Sequence, residues 1–242
     1  MDVILCGSLG RMGSIFRSVC EAEKCRVTAQ VDIHSADFCN IMRVEGKFDC
    51  IVDFSAHTAC ESVCTYAQNN SLPVVIAVTG HSEDEREMIE KCAKKVPVFF
   101  SPNLSFGMYE LCRYACAAAK VFPDADIEIV EKHHKGKVDA PSGSALKIAE
   151  IIRGERADAF NIYGRYGSRL RDRREIGIHS VRCGNYPATH EVIIATENER
   201  LTISHEVYNP KVFAIGAVRA AEFIIGKEPG LYGMSELLGD SL

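Results

Sequence analysis

The sequence contains no tryptophan and has no excess of positive charge. Its 28 lysines and arginines are outnumbered by 33 aspartates and glutamates, which gives a formal net charge of −5 at pH 7. Nucleic-acid-binding proteins usually carry a basic surplus on one face, so this balance disfavours a nucleic-acid partner and favours a small molecule. No apolar run reaches the roughly 18 residues that a membrane span needs, and no basic start with a cleavage site marks a signal peptide. We therefore expect a cytoplasmic protein without a membrane partner.

The cysteines are numerous, but none of them forms a C-x-x-C pair. We interpret all eleven as reduced thiols. Cys60 with Cys64, and Cys112 with Cys116, are four residues apart and could form half of a metal site on a helix. No second ligand pair accompanies either one, so small apolar residues on buried helix faces are the favoured interpretation, and no metal site is predicted.

Apolar runs alternate with helical patterns through the first hundred residues. The runs cover residues 3–6, 27–31, 50–54, 73–78 and 96–100. Strands that alternate with helices predict a parallel sheet with right-handed crossovers, which is the Rossmann type of α/β domain.

The pattern changes after Asn103. A helix is predicted over 107–120, followed by extended runs at 126–131, 176–183, 190–195 and 200–207. The first of these runs alternates polar with apolar residues, as in a sheet with one solvated face. An alanine-rich helix over 212–225 is predicted to return to the first domain. The expected fold is therefore α/β: a Rossmann domain of residues 1–104 and 209–242, completed by this helix, and an inserted α+β mixed-sheet domain of residues 105–208.

A glycine-rich turn follows the first predicted strand and opens a helix. Gly7, Gly10 and Gly13 would let backbone N–H groups approach a pyrophosphate at the helix N-terminus. Asp32 ends the next strand, nineteen residues after Gly13, where a carboxylate can accept both ribose hydroxyls of a dinucleotide. The alternative is a structural turn with a solvated aspartate.

The charge of Asp32 bears on the choice between NADH and NADPH. Its carboxylate should repel a 2′-phosphate, which favours NADH, although Arg43 or Lys47 could offset that repulsion.

The densest group of chemically active residues lies in 131–145, where two histidines and three lysines precede Ser142-Gly143-Ser144 and a helical pattern. Histidines can donate protons near neutral pH. A helix N-terminus flanked by Lys137 and His134 is suited to receive a carboxylate. The alternative is a solvated surface run of charges.

This segment resembles the signature E-x-H-H-x-x-K-x-D-A-P-S-G of the 4-hydroxy-tetrahydrodipicolinate reductases, also called dihydrodipicolinate reductases. The resemblance covers nearly the whole chain and includes residues 7–13, 53–55, 78–80, 101–107, 176–182 and 213–217. It implies reduction of 4-hydroxy-tetrahydrodipicolinate to tetrahydrodipicolinate by NADH or NADPH, with loss of water, in lysine and diaminopimelate biosynthesis. It also implies a dicarboxylate substrate and a homotetramer, with the inserted domain serving both substrate binding and oligomerisation.

The resemblance further implies a role for each matching residue. His133 would supply the proton, and Lys137 would bind a substrate carboxylate and assist as an acid. His134, Gly143 and Ser144 would hold the substrate. The cofactor would be lined by Gly7, Ser8, Leu9, Gly10, Arg11, Met12, Gly13, Asp32, Val78, Thr79, Gly80, Ser101, Pro102, Asn103 and Leu104.

The sequence departs from the family pattern at several positions. Ser144 stands where threonine is usual, Ile33 replaces a frequent arginine, and Pro210-Lys211 falls where an arginine usually precedes the last helix. The loss at Ile33 weakens the case for NADPH. The basic stretch of residues 165–174 is expected to be a solvated loop, with a lid over an anionic substrate as the alternative.

Two other functions remain possible from the residues alone. A dehydrogenase for an amino acid or oxo-acid would share the glycine turn and Asp32, and so would a non-catalytic dinucleotide sensor. Neither would need His133, His134, Lys137 and the serine-rich helix start together.

Overall fold

The computed structural model describes residues 1–35 and 39–239. The chain divides into two compact units: unit 1 consists of Met1–Ser105 and Pro210–Leu242, and unit 2 consists of Phe106–Asn209. The boundaries expected from the sequence, after residues 104 and 208, fall one residue earlier. Within the described ranges, no helix has both the length and the apolar character required to cross a membrane.

The regular elements follow the chain in this order. The strands are β1 (Asp2–Cys6), β2 (Arg26–Val31), β3 (Cys50–Asp53), β4 (Val74–Ile76), β5 (Pro97–Phe100), β6 (Asp126–His133), β7 (Phe160–Tyr163), β8 (Glu175–Arg182), β9 (Ala188–Ala195), β10 (Arg200–Val207) and β11 (Gly230–Tyr232). The α-helices are α1 (Arg11–Cys20), α2 (Cys60–Asn70), α3 (Glu83–Ala93), α4 (Phe106–Val121), α5 (Gly143–Glu155), α6 (Lys211–Ile224) and α7 (Met234–Leu238).

Unit 1 is built on a parallel sheet with the strand order β11-β5-β4-β3-β1-β2. This order confirms the Rossmann-type α/β fold. The chain passes from β1 to β2 on one side and then to β3 on the other side of β1. Ligands of such sheets bind at the carboxyl ends of the strands where the order reverses, so the turn after β1 occupies the expected place for one.

Unit 2 contains the mixed sheet, with the strand order β10-β9-β6-β8-β7. Strands β10, β9 and β6 pair antiparallel, whereas β6, β8 and β7 pair parallel. Ile127 and Ile129 of β6 are buried against Ile148 and Ile152 of α5 and against residues of α4. The alternation in β6 therefore separates a helix-covered face from an open one, as expected.

The basic stretch of residues 165–174 is ion-paired, which differs from the expected solvated loop. Arg165 and Arg169 both bond the buried carboxylate of Glu175. Arg171 donates to Asp126 Oδ1 at 2.8 Å and to Glu128 Oε1 at 3.2 Å. These ion pairs attach the stretch to β6 and β8. The sequence pattern did not predict them.

The short elements β7, β11 and α7 were not predicted. Strands of three or four residues, such as β11 and β7, are too short to display a period of two. β11 is defined by its pairing with β5, and β7 by its pairing with β8. A local sequence pattern does not predict such pairing.

Helix α6 packs closely in unit 1 because it carries a glycine at the contact. A Cβ added at Gly216 would lie 2.0 Å from the carbonyl oxygen of Leu104. Backbone at that distance cannot rotate away as a side chain can, so the helix would have to shift.

We expect Gly216→Ala to lower the free energy of unfolding by about 1–3 kcal/mol, the usual cost of overpacking. Thermal unfolding followed by circular dichroism measures this. Gly154→Ala in α5 is the control, because a Cβ there meets no atom within 4 Å and alanine favours a helix. Equal melting temperatures for the two variants would contradict the close contact.

Candidate active site

The glycine turn after β1 is held tightly between its neighbours. Gly7 has φ +73°, and its N–H donates to the carbonyl of Val31 at 2.8 Å. A Cβ at Gly7 would lie 2.6 Å from the carbonyl oxygen of Phe54, and one at Gly13 would lie 2.2 Å from that of Gly7. Only glycine fits at these two positions.

The start of α1 is suited to an anion. Its N-cap, Gly10, offers no capping side chain, and no acidic residue lies in the first turn. The first N–H groups of a helix and its dipole attract negative charge. The buried hydroxyl of Ser8 also lacks a hydrogen-bond partner among the described residues. These features fit the pyrophosphate of a dinucleotide.

Asp32 is fixed beside this turn at the end of β2. Its Oδ2 accepts the N–H of Leu9 at 3.1 Å, and its Oδ1 accepts the N–H of His34 at 3.0 Å. The carboxylate is therefore oriented by backbone groups before any ligand binds.

The remaining cofactor candidates follow β4 and β5. Thr79 and Gly80 are exposed, whereas Val78 is buried. The stretch 101–104 begins with a backbone bond from Ser101 N–H to the carbonyl of Ile76 at 3.1 Å. Because β1, β2, β4 and β5 are parallel, these segments and the glycine turn share one edge of the sheet. The side chain of Leu104 is buried, so only its backbone could reach a ligand.

In unit 2, one buried carboxylate organises the surroundings of the candidate proton donor. Glu131 is fully buried and receives two hydrogen bonds from Arg182, Nη1 to Oε2 at 2.8 Å and Nη2 to Oε1 at 2.7 Å. Its Oε2 lies 2.6 Å from His133 Nδ1, and its Oε1 accepts the N–H of Ser142 at 3.1 Å. The β6–β8 pairing places Arg182 directly beside His133.

These contacts determine the charges of the group. Burial by itself raises the pKa of Glu131, but the hydrogen bonds from Arg182 and its other partners outweigh this and bring the pKa to about 2. Burial lowers the pKa of His133, and the bond to Glu131 opposes that shift only in part. The carboxylate is therefore ionised at any pH near neutral.

The start of α5 is capped from within the same group. The Oγ of Ser142 accepts the N–H of Ala145 at 3.2 Å and lies 2.9 Å from Nε2 of His190. Burial lowers the pKa of His190 to about 4, so its ring is neutral near pH 7. The serine hydroxyl and Nε2 share one hydrogen bond, and the ring stands edge-on to His133 at 5.3 Å between centroids.

Gly143 and Ser144 form the first turn of α5, which contains no acidic residue. A Cβ at Gly143 would meet no atom within 4 Å. The fold therefore does not need a glycine here, and open space adjoins the N–H groups of the helix start. That arrangement suits a carboxylate ligand.

The candidates Lys137 and His134 lie in the loop between β6 and α5. Lys137 Nζ is 2.7 Å from Asp139 Oδ1, an ion pair that an incoming carboxylate would have to join or replace. His134 Nδ1 accepts the N–H of Gly136 at 3.2 Å, which leaves the proton of a neutral ring on Nε2. His134 can therefore donate to an anion.

Sequence reasoning missed Glu131, Arg182 and His190 as members of the site. One signal was present: Glu131 falls in phase with Ile127 and Ile129 on the covered face of β6. A carboxylate on the buried face of a strand must have a charged or hydrogen-bonding partner. The partner could not be identified, because it comes from a strand about fifty residues later in the chain.

No group of three or more metal-ligating side chains occurs within residues 1–35 and 39–239. The chemistry available in unit 2 is that of a histidine next to a carboxylate, a lysine and a helix N-terminus. Together they can supply a proton and bind anions.

Two family models match the chain, and both describe dihydrodipicolinate reductase. Residues 1–104 match the family model "Dihydrodipicolinate reductase, N-terminus", and residues 107–238 match "Dihydrodipicolinate reductase, C-terminus". A 4-hydroxy-tetrahydrodipicolinate reductase from Caldanaerobacter subterraneus subsp. tengcongensis is 41% identical over 244 residues, covering 98% of this chain and 97% of the relative. The enzyme of that name from Alkaliphilus oremlandii is 39% identical over 241 residues, with 98% of each chain covered.

A solved structure shows the same fold. The dipicolinate-bound dihydrodipicolinate reductase from Paenisporosarcina sp. TG-14 superposes with a TM-score of 0.78 at 22% identity, over 98% of each chain. With both halves matched by the family models and full-length relatives near 40% identity, the chain belongs to the dihydrodipicolinate reductase family.

Proposed function

We propose that the chain reduces 4-hydroxy-tetrahydrodipicolinate to tetrahydrodipicolinate, with loss of water, at the expense of NADH or NADPH in lysine and diaminopimelate biosynthesis. Relatives that cover nearly the whole chain carry the name of this activity. The observation that carries the proposal furthest is that Glu131 bonds both His133 and Ser142, the N-cap of α5, next to the open space at Gly143. A proton donor and a receptor for a carboxylate then lie within one small region of unit 2.

Reduction of a conjugated imine requires a hydride on one carbon and a proton on its neighbour. A bound nicotinamide dinucleotide would supply the hydride. His133 would deliver the proton from Nε2, while the N–H groups of Gly143 and Ser144 and the ammonium of Lys137 would bind the carboxylates. A dianion next to His133 raises its pKa and offsets the effect of burial, so the acid form is favoured when substrate is bound.

For the cofactor, residues 7–13, 78–80 and 101–104 would line the dinucleotide, and Asp32 would receive the adenosine ribose. The carboxylate of Asp32 is held by the N–H groups of Leu9 and His34, so it cannot easily turn away from a 2′-phosphate. We therefore favour NADH.

We also propose a homotetramer in the cytoplasm, joined through the unit 2 sheets. The face opposite α4 and α5 carries the half-buried apolar side chains Val130 and Ile193. Light scattering during gel filtration measures the mass of the assembly.

The first test is turnover. The purified protein is coupled to dihydrodipicolinate synthase with pyruvate and aspartate semialdehyde, and loss of absorbance is followed with each dinucleotide. We expect oxidation that needs every component. It should fall about 10²–10⁴-fold in His133→Gln, because the proton donor is lost. It should fall about 10²–10³-fold in Lys137→Ala, because a charge that stabilises the anion is lost.

A protein that binds a dinucleotide but turns over with neither would contradict the proposed reaction. It would point instead to another dehydrogenase or to a dinucleotide sensor.

The second test concerns the start of α5. Gly143→Ala should raise KM for the substrate at least tenfold, because a methyl group would fill the space beside the N–H groups. Its melting temperature should not fall, because nothing in the fold occupies that space. Gly154→Ala near the other end of the helix is the control, with KM unchanged. An unchanged KM in Gly143→Ala would place the carboxylate elsewhere.

The third test concerns the cofactor. Asp32→Asn keeps an oxygen that can accept the N–H of Leu9 but removes the negative charge. We expect the ratio of kcat/KM for NADPH to that for NADH to rise about tenfold, which corresponds to roughly 1.4 kcal/mol. A wild-type enzyme that already prefers NADPH, or a ratio that does not move, would contradict the role given to this carboxylate.

A further inference from the structure

We infer that Glu131 is the positioning residue of the active site: its carboxylate holds His133 with the proton on Nδ1 and presents Nε2 to the substrate, while the same carboxylate fixes the start of α5. The inference rests on the proposed function, in which His133 donates the proton. It assigns to Glu131 and to its partner Arg182 a role in catalysis without contact with the substrate.

The tautomer of His133 follows from the hydrogen bond to Glu131. An ionised carboxylate can only accept, so the nitrogen 2.6 Å away must carry a proton. In a neutral ring the proton is then on Nδ1, and Nε2 holds the lone pair. No described residue bonds to Nε2, and a small part of the ring remains exposed. Nε2 is thus the nitrogen that a substrate or a solvent proton can reach.

The orientation of the carboxylate is fixed, because Arg182 donates hydrogen bonds to both of its oxygens. Arg182 ends β8, and the parallel pairing sets it opposite His133 at the end of β6. Its Nη2 also donates to the carbonyl of Asp139 at 2.5 Å, in the loop that carries Lys137. The ion pair therefore connects two strand ends and the loop between β6 and α5.

The same carboxylate reaches the anion receptor. Its Oε1 accepts the backbone N–H of Ser142, the residue that caps α5. The proton donor and the helix start are consequently bonded to two oxygens of one side chain. Each is held at hydrogen-bond distance from the same carboxylate, which positions the proton donor relative to the anion receptor.

The charged groups around His133 give this arrangement a measurable signature. Burial, Lys137 and Arg182 disfavour the imidazolium, whereas Glu131 is the negative group that favours it. His190, which is neutral near pH 7, stands edge-on to the ring. Replacing the carboxylate by an amide would leave Arg182 uncompensated. The pKa of His133 must then fall, and its proton is lost at a lower pH.

The test measures His133 in the protein alone, without substrate or cofactor. Diethylpyrocarbonate acylates the unprotonated nitrogen of histidine, and peptide mass spectrometry gives the rate at His133 as a function of pH. In Glu131→Gln we expect the midpoint of this curve to move down by at least about one pH unit, since a partner carboxylate shifts a pKa by about 1–3 units. The control is Glu128→Gln, three residues earlier on β6, which removes a carboxylate bonded to Arg171 and His179 on the other face. There the His133 midpoint should not move.

Kinetics supply the second readout. In Glu131→Gln we expect kcat to fall about 100-fold, because supporting hydrogen bonds to a functional histidine typically contribute 10–100-fold or more. The alkaline limb of its pH profile, where the proton donor loses its proton, should move to lower pH together with the midpoint at His133. If the amide prevents folding, Glu131→Asp keeps the charge but is one methylene shorter. We then expect kcat to fall while the midpoint stays within half a unit of the wild type.

An unmoved midpoint in Glu131→Gln, or an unchanged kcat in Glu131→Asp, overturns the inference. The acylation experiment does not depend on catalysis. If the wild-type protein has no reductase activity, the proposed function is contradicted, but the acylation experiment still tests the role of Glu131.

Discussion

A carboxylate removed from water must find its counter-charge and its hydrogen bonds within the protein, and Glu131 does so with a guanidinium, an imidazole and a backbone N–H. Removing one partner of such a buried pair typically costs about 3–5 kcal/mol, because the other charge is left without compensation. The end of β8, the entry of the chain into α5 and the orientation of His133 are all bonded to this one group. Deleting the side chain of Glu131 would therefore change both the stability of the fold and the proposed chemistry. An amide of the same shape changes mainly the charge.

In the proposed function, the two units use the same structural device, a helix start that follows a strand, for two anions. In unit 1 the chain leaves β1, turns on glycines and begins α1; in unit 2 it leaves β6, crosses a loop and begins α5. Neither helix has an acidic residue in its first turn, although α3 has three there. The helices that meet a proposed phosphate or carboxylate thus differ from a helix that only needs a stable N-terminus, and α3 obtains that stability from the capping box of Ser82 and Glu85.

Much of the fold could be predicted from local pattern, because apolar runs and glycine turns report on strands and crossovers directly. The glycine turn, Asp32 and the segment around His133 were found in this way. What local pattern could not supply is pairing across the chain. Arg182 and Glu131 meet only because β8 lies parallel to β6. Arg171 looked like part of a solvated run because its acidic partners lie more than forty residues earlier, on β6. Short β11 was missed for the same reason, since its pairing with β5 alone defines it.

The basic stretch after β7 also affects how a charged ligand meets the protein. Arg165, Arg169 and Arg171 are paired with three carboxylates, those of Glu175, Asp126 and Glu128, so little of their charge extends into solvent. At a net charge of −5, the molecule as a whole then offers a dianion no long-range attraction. Encounter then proceeds by ordinary diffusion, with attraction confined to about a Debye length around the proposed carboxylate-binding groups, Lys137 and the start of α5. The protein can therefore distinguish one anion from another only by short-range contacts, within a few ångströms of the site.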